Sequence, residues 1–274
     1  MKQFFLVVAV VLAATTPAMP QNIAAMVLEE DSGEPIPYAS VGVVEQTLGT
    51  LTDSTGYFML NVPFHYDNDT LRISCIGYNP ISMPVAEVRK CGSFLLKSCE
   101  YLLPEMVVLP VKIKTQTVGR MSNKGSMLIK VDGLKGAGKE MGLQLKTKKR
   151  AWIKRVSFAI VECDSMLVRM PFRLNVYKKN SNKYTNNLVS PIEFLYTKDA
   201  IVSGRFTFEL FTPLMLEKGE YVIAIEFLEN FPNHKFLMRT GIMTGQTFYR
   251  YAPQTSWKKI PLGSTLAIEV AVEK

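Results

Sequence analysis

Histidine is almost missing from this chain of 274 residues, which holds only His65 and His234. Each sits among loop-forming neighbours, Pro63-Phe64-His65-Tyr66-Asp67 and Phe231-Pro232-Asn233-His234-Lys235. Neither belongs to an H-x-x-E or H-E-x-x-H pattern, so a histidine-based zinc hydrolase site is excluded. A G-x-S-x-G elbow is absent too, which removes the usual serine-hydrolase geometry. Gly133-x-x-Gly136-x-Gly138-Lys139 lacks the spacing of a phosphate-cradling loop and the strand-then-helix pattern around it. The four cysteines, Cys75, Cys91, Cys99 and Cys163, form no C-x-x-C pair, so neither a structural zinc site nor a dithiol redox pair is expected. No later stretch offers the 18 or more uninterrupted apolar residues of a membrane helix. No long segment has a 3.6-residue period, so little helix is expected. The expected inventory is therefore no metal and no cofactor, and no catalytic activity.

Apolar content is high at 47%, with 15 Phe and 11 Tyr, which is a folding composition rather than a disordered one. Met1-Lys2-Gln3, the apolar run Phe4 to Ala14 and Thr15-Thr16-Pro17-Ala18 have the order of a cleavable export signal, over residues 1–21. The expected location is the periplasm, the outer membrane or the medium. In an exported chain Cys91 and Cys99 could bridge, whereas Cys75 and Cys163 lie in alternating runs and fit as small core residues.

Turn signals alternate with short apolar runs. Asp31-Ser32-Gly33, Asp53-Ser54-Thr55-Gly56 and Gly77-Tyr78-Asn79-Pro80 punctuate the first part. Between and after them, strands are expected over Ile23 to Leu28, Tyr38 to Val44, Tyr57 to Val62, Thr70 to Ile76, Ile81 to Val85 and Phe94 to Leu96. Leu102 to Val108 should close the unit. These runs and turns, D-S-G-E-P-I-P-Y-A-S-V-G-V, G-T-L-T-D-S-T-G-Y-F-M-L and D-T-L-R-I-S-C-I-G-Y-N-P, resemble the carboxypeptidase regulatory-like domain family. The resemblance covers about residues 22–110 and implies a transthyretin-like β-sandwich, a module found on many secreted and envelope proteins, especially of Bacteroidota. It names a module and implies no activity. Larger members carry it ahead of TonB-dependent barrels, and the stretch after residue 110 has the wrong length and hydropathy for one.

Charge divides the chain. Residues 22–110 carry 4 basic and 11 acidic residues, and 111–155 carry 13 basic and 2 acidic. The glycine-punctuated segment 111–139 reads as a basic linker with an irregular lead-in strand, either simply solvated or in contact with an anionic surface. Nucleic acid is not an expected partner, because no aromatic residue interleaves the cluster before Trp152. From residue 140 to 274 period-two alternation returns, as in Trp152, Val156, Phe158, Ile160 and in Phe172, Leu174, Val176, and separate short strands are expected over Phe236 to Met238 and Thr247 to Tyr251. The fold class is therefore all-β: a transthyretin-like sandwich followed by a second, jelly-roll-like sandwich.

For function this predicts a non-catalytic binding or structural module of the cell envelope, with an envelope protein or a glycan as partner. A glycan-binding accessory protein and a carboxylate-based hydrolase in the second sandwich are the alternatives. Asp67 and Asp69 could favour calcium but lack the later glycine and glutamate of an EF-hand, so a polar turn is expected. The binding candidates are Tyr249, Tyr251 and Trp257, three rings around the polar turn Ala252 to Ser256. They could contact a ligand or cap the core. Lys178 to Asn187 is expected to be a polar loop, and no aromatic platform is expected on a sheet face.

Overall fold

The computed structural model describes residues 21–99, 112–121, 127–132, 137–163, 169–181, 183–187, 192–197, 201–230, 235–264 and 266–273. Residues 1–20 of the expected export signal, the closing strand Leu102 to Val108, Gly133, Gly136 and His234 lie outside the described residues, as does the side chain of Cys163.

The first unit opens with β1 (Gln21–Glu29), β2 (Ser40–Val43), β3 (Gly49–Leu51) and β4 (Tyr57–Val62). It continues with β5 (Thr70–Ser74), β6 (Ile81–Pro84), the single helical turn α1 (Val85–Val88) and β7 (Ser93–Leu96). One sheet runs β4-β1-β7 and the other β3-β2-β5-β6. β4 alternates exposed and buried residues along its length, so Phe58, Leu60 and Val62 face inward. They meet Ile23, Ala25 and Val27 of β1 and Val41, Val43, Leu71 and Ile73 of the opposite sheet in one apolar cluster. The turns form as their residues require. Asp53 Oδ1 accepts from the Thr55 and Tyr57 amides at 2.8 and 3.1 Å, and Gly56 takes φ 75°. At the first turn Ser32, rather than Asp31, accepts from the Glu34 amide. Cys91 and Cys99 are free thiols.

The second unit contains β8 (Ile113–Gly119), β9 (Met127–Asp132), β10 (Glu140–Thr147), β11 (Ala151–Cys163) and β12 (Arg169–Asn180). Then come β13 (Lys183–Asn187), β14 (Ile192–Thr197), β15 (Ile201–Val202) and β16 (Arg205–Leu216). β17 (Gly219–Phe227), β18 (Lys235–Arg250), β19 (Lys258–Ser264) and β20 (Ala267–Glu273) complete it. One layer is β8-β20-β11-β16-β15, and the other has β12-β17-β10-β18 at its centre. β11 switches between them: its first half pairs with β16 and β20, and Ile160, Glu162 and Cys163 pair with β18. Breaks in register on β11 at Ile153/Arg155 and Ile160/Glu162 bend it for this corner. Phe158 lies between the layers, with ring centroids 5.6 Å from Phe172 and 5.3 Å from Phe206. Each such fully buried ring contributes about 1.5–3 kcal/mol.

Three expectations change. The stretch 111–139 is not all linker, since β8 pairs with β20 and β9 with β18. Its lysines alternate with strand-compatible residues, and edge strands tolerate exposed lysine, so charge hid the strand period. Lys178 to Asn187 is a hairpin, with Asn180 paired to Lys183 and the turn at Ser181. Phe236 to Met238 and Thr247 to Tyr251 belong largely to one long strand, β18.

Candidate functional site

The two sandwiches meet at the turn between β18 and β19, residues 251–257. Pro253 and Gln254 of this turn lie against the β2–β3 hairpin of the first sandwich. A Cβ on Gly42 would stand 2.4 Å from the Pro253 carbonyl oxygen, and one on Gly49 2.6 Å from the same atom. Gly42 and Gly49 are register partners, so the pair opens a slot only two glycines can make. Gln254, with φ 64°, donates from Nε2 to Ser74 Oγ at 2.9 Å. Two further ties fasten the seam: Tyr38 Oη donates to Glu229 at 2.9 Å, and Arg173 Nη1 donates to the Tyr38 carbonyl at 3.1 Å.

Beside this seam is a cleft of about 890 Å³ lined by both sandwiches. From the first come Arg72, Ser74 and the Cys75 to Pro80 turn; from the second come Asn175, Tyr177, Phe248, Arg250 and Trp257. The second sandwich contributes the outward face of β12, β17, β10 and β18. Alternation predicts that face to be solvent-exposed and polar, but it is buried: Arg173 is 5% exposed, Asn175 2%, Glu226 1% and Glu140 0%. In β17 every residue from Tyr221 to Phe227 is buried, because the core covers one face and on the other Tyr177, Phe248, Tyr184 and Trp257 cluster with Val222 and Ala224.

Burial forces these polar groups to pair. Glu140 Oε1 accepts from Arg250 Nε at 2.8 Å, from Arg250 Nη2, and from Tyr177 Oη at 3.1 Å. Asn175 Nδ2 donates to Glu226 Oε2 at 2.8 Å, and Arg173 lies 3.6 Å from the same oxygen. At the open end Glu220 accepts from Tyr184 Oη at 2.8 Å and Lys179 at 3.1 Å, and these bonds hold its carboxyl down at about 2. Burial pushes Tyr184 up to about 12. Burial also raises Glu140 to about 7, with Arg250 opposing and the Glu226 charge reinforcing.

The sign of a pH effect follows. Folded Glu140 holds its proton more tightly than the unfolded chain, whose carboxyl titrates near 4.5. Its contribution is full below that value and is lost as pH rises to about 7. The melting-temperature difference between wild type and Glu140→Gln should therefore change between pH 4.5 and 7. A constant difference across that window would refute this role for Glu140.

The candidate rings separate. Trp257 lines the cleft, half-buried, 5.4 Å from the Tyr177 ring at 65° and with Arg250 5.0 Å from its centroid. Tyr249 and Tyr251 pack on each other, centroids 4.5 Å apart, and are not among the cleft residues. Period two sends Phe248 and Arg250 to the cleft side and Tyr249 to the other. Lys258 and Lys259 start β19. The expectation of no aromatic platform on a sheet face is corrected: Tyr177, Tyr184, Phe248 and Trp257 share one cluster there. Asp67 and Asp69 hold local structure, bonded to Arg89 at 2.8 Å and Gln46 at 3.1 Å. Their neighbour His65 stacks on Tyr66, centroids 4.0 Å apart. The buried set Glu140, Arg173, Asn175, Glu226 and Arg250 was not legible, because nothing local marks a polar strand face that another unit will cover.

Comparison with known proteins identifies the first sandwich. Residues 23–108 match the CarboxypepD_reg-like domain family, so this part of the chain is such a domain. The chain is 35% identical over 83 residues to the TonB-dependent receptor SusC of Bacteroides thetaiotaomicron, a match covering 30% of this chain and 8% of the receptor. Against solved structures, the infectious bursal disease virus VP2 subviral particle aligns with 92% of this chain and 63% of its own, at 8% identity and TM-score 0.17. That last likeness carries no argument about fold or function. Among the described residues no helix is long and apolar enough to cross a membrane.

Proposed function

We propose that this protein is a non-catalytic binding module of the bacterial cell envelope, and that it binds its ligand in the cleft between the two sandwiches. The cleft itself carries the reading. Its volume is that of a small-molecule site, and it joins ring surface to polar groups drawn from both units. The envelope setting is supported by the family of the first sandwich and its kinship with a TonB-dependent receptor. Trp257 is the candidate ring the cleft retains; Tyr249 and Tyr251 are left to the outer surface.

The carboxylate-hydrolase alternative has one observation in its favour, the raised proton affinity of Glu140 beside Glu226. Against it, Glu140 is fully buried behind Arg250 and Tyr177 and does not line the cleft. A general acid must reach the leaving group within hydrogen-bond distance.

Ser256 is exposed and on the cleft wall, so Ser256→Trp places a bulky ring at the Trp257 side of the cleft without disturbing the core. Native mass spectrometry after incubation with a small-molecule fraction of envelope extract should find an adduct on wild type and none on this variant. An identical adduct on both proteins, or on neither, would reject the cleft as the binding site.

A further inference from the structure

Among the polar atoms of the cleft wall buried without a hydrogen-bond partner are the donors Arg72 Nε and Trp257 Nε1 and the acceptor Glu226 Oε1. A buried polar group left unpaired costs about 1–3 kcal/mol, so these atoms mark where a ligand or water completes the structure. A hydroxyl-rich ligand suits this set, because one hydroxyl can both accept from a donor and donate to a carboxylate.

The ion pairs add a sign to the chemistry. Arg173 is balanced by Glu226, Arg250 by Glu140 and Lys179 by Glu220. Among the described residues neither Arg72 nor Lys259 has an acidic partner, and Lys259 lies 5.2 Å from the Phe248 ring centroid. Two cationic groups of the cleft wall therefore stand outside its ion pairs, against one further carboxylate, Glu45, and Arg72 offers a planar fork suited to a carboxylate.

The backbone of the cleft floor leaves no room for an added strand at its centre. β12, β17 and β10 each have a hydrogen-bonded neighbour on both sides, and β18 is paired with β10 and β19 at the cleft. An extended peptide could pair only at the margins, on β13 or β19, each of which has one strand neighbour among the described residues; over the cleft floor it would be held by side chains alone. Ring surface from the half-buried Trp257 beside hydroxyl-matching groups suits the mixed C–H and O–H faces of a sugar.

We infer that the cleft takes an acidic saccharide, a sugar bearing a carboxylate that Arg72 and Lys259 receive while its hydroxyls satisfy Trp257 Nε1 and Glu226 Oε1. This rests on the cleft being the binding site. The test is an array of uronate- and sialate-terminated oligosaccharides beside their neutral counterparts, with hits and a triglutamate peptide titrated calorimetrically. Wild type should hold an acidic glycan at least about tenfold more tightly than its neutral counterpart. Arg72→Gln should abolish that preference, Arg72→Lys should retain much of it, and Ser256→Trp should bind neither. Equal binding of acidic and neutral glycans, lost only in Ser256→Trp, would overturn the acid inference and leave the cleft reading standing. Tighter binding of triglutamate, or no binding to any probe, would overturn the saccharide; the extract experiment then judges the cleft separately.

Discussion

Arg250→Met should destabilise the protein by about 3–5 kcal/mol above pH 7, where Glu140 is charged, the scale of breaking one side of a buried ion pair. Glu140 is 0% exposed and Arg250 supplies two of the three hydrogen bonds that its Oε1 accepts. Methionine fills similar space but leaves the carboxylate with Tyr177 alone. The hydroxyl cannot replace the cation, because burial already pushes Tyr177 well above its ordinary value and keeps it neutral. Arg250 also lies over the Tyr177 and Trp257 rings, at 4.8 and 5.0 Å, so the cleft wall should loosen with it. Urea unfolding measures the loss. The second-site change Glu140→Gln should recover most of it, since the orphaned charge is then gone. A loss under about 1 kcal/mol, the worth of a surface pair, would show that the network is not a buried charge cluster. A loss without recovery would show that Arg250 acts through packing.

Gly42→Val should open the seam. The added Cβ meets the Pro253 carbonyl at 2.4 Å and the Gln254 Cβ at 3.1 Å, so the 251–257 turn must withdraw from the β2–β3 hairpin. Overpacking of this kind costs about 1–3 kcal/mol. The larger consequence is for the cleft, whose two walls are held together there, so ligand affinity should fall at least about tenfold. Amide exchange at Thr255 and at Glu45, which bonds Gln254 O at 3.4 Å, should speed up, while exchange in the apolar core of each sandwich stays slow. Gly92→Ala is the control, because nothing lies within 4 Å of a Cβ there. If Gly42→Val matched that control in affinity and exchange, the glycine slot would not be what joins the sandwiches.

The sequence by itself determined the elements whose signals are local. β4 runs from Tyr57 to Val62 as alternation requires, because one face of that sheet meets a core and the other meets water. The Asp53 turn forms because an aspartate and a glycine at that spacing suffice. The first sandwich and its family were legible for the same reason: hairpin follows hairpin, and each turn names itself. The second sandwich was legible as all-β, yet β8 and the β12–β13 hairpin were hidden by their lysines, asparagines and threonines, which pattern cannot distinguish from loop. Trp257 could be picked out as a ring beside a polar turn, but its separation from Tyr249 and Tyr251 depended on which side of β18 each residue faces. The cleft was decided only in three dimensions. Arg173, Asn175 and Glu226 read as the solvent face of ordinary strands. They became a buried polar floor because two glycines far away in sequence let a turn of one sandwich lock against the other. A binary pattern records the face a strand turns to its own core and carries no mark of a second unit that will cover the opposite face.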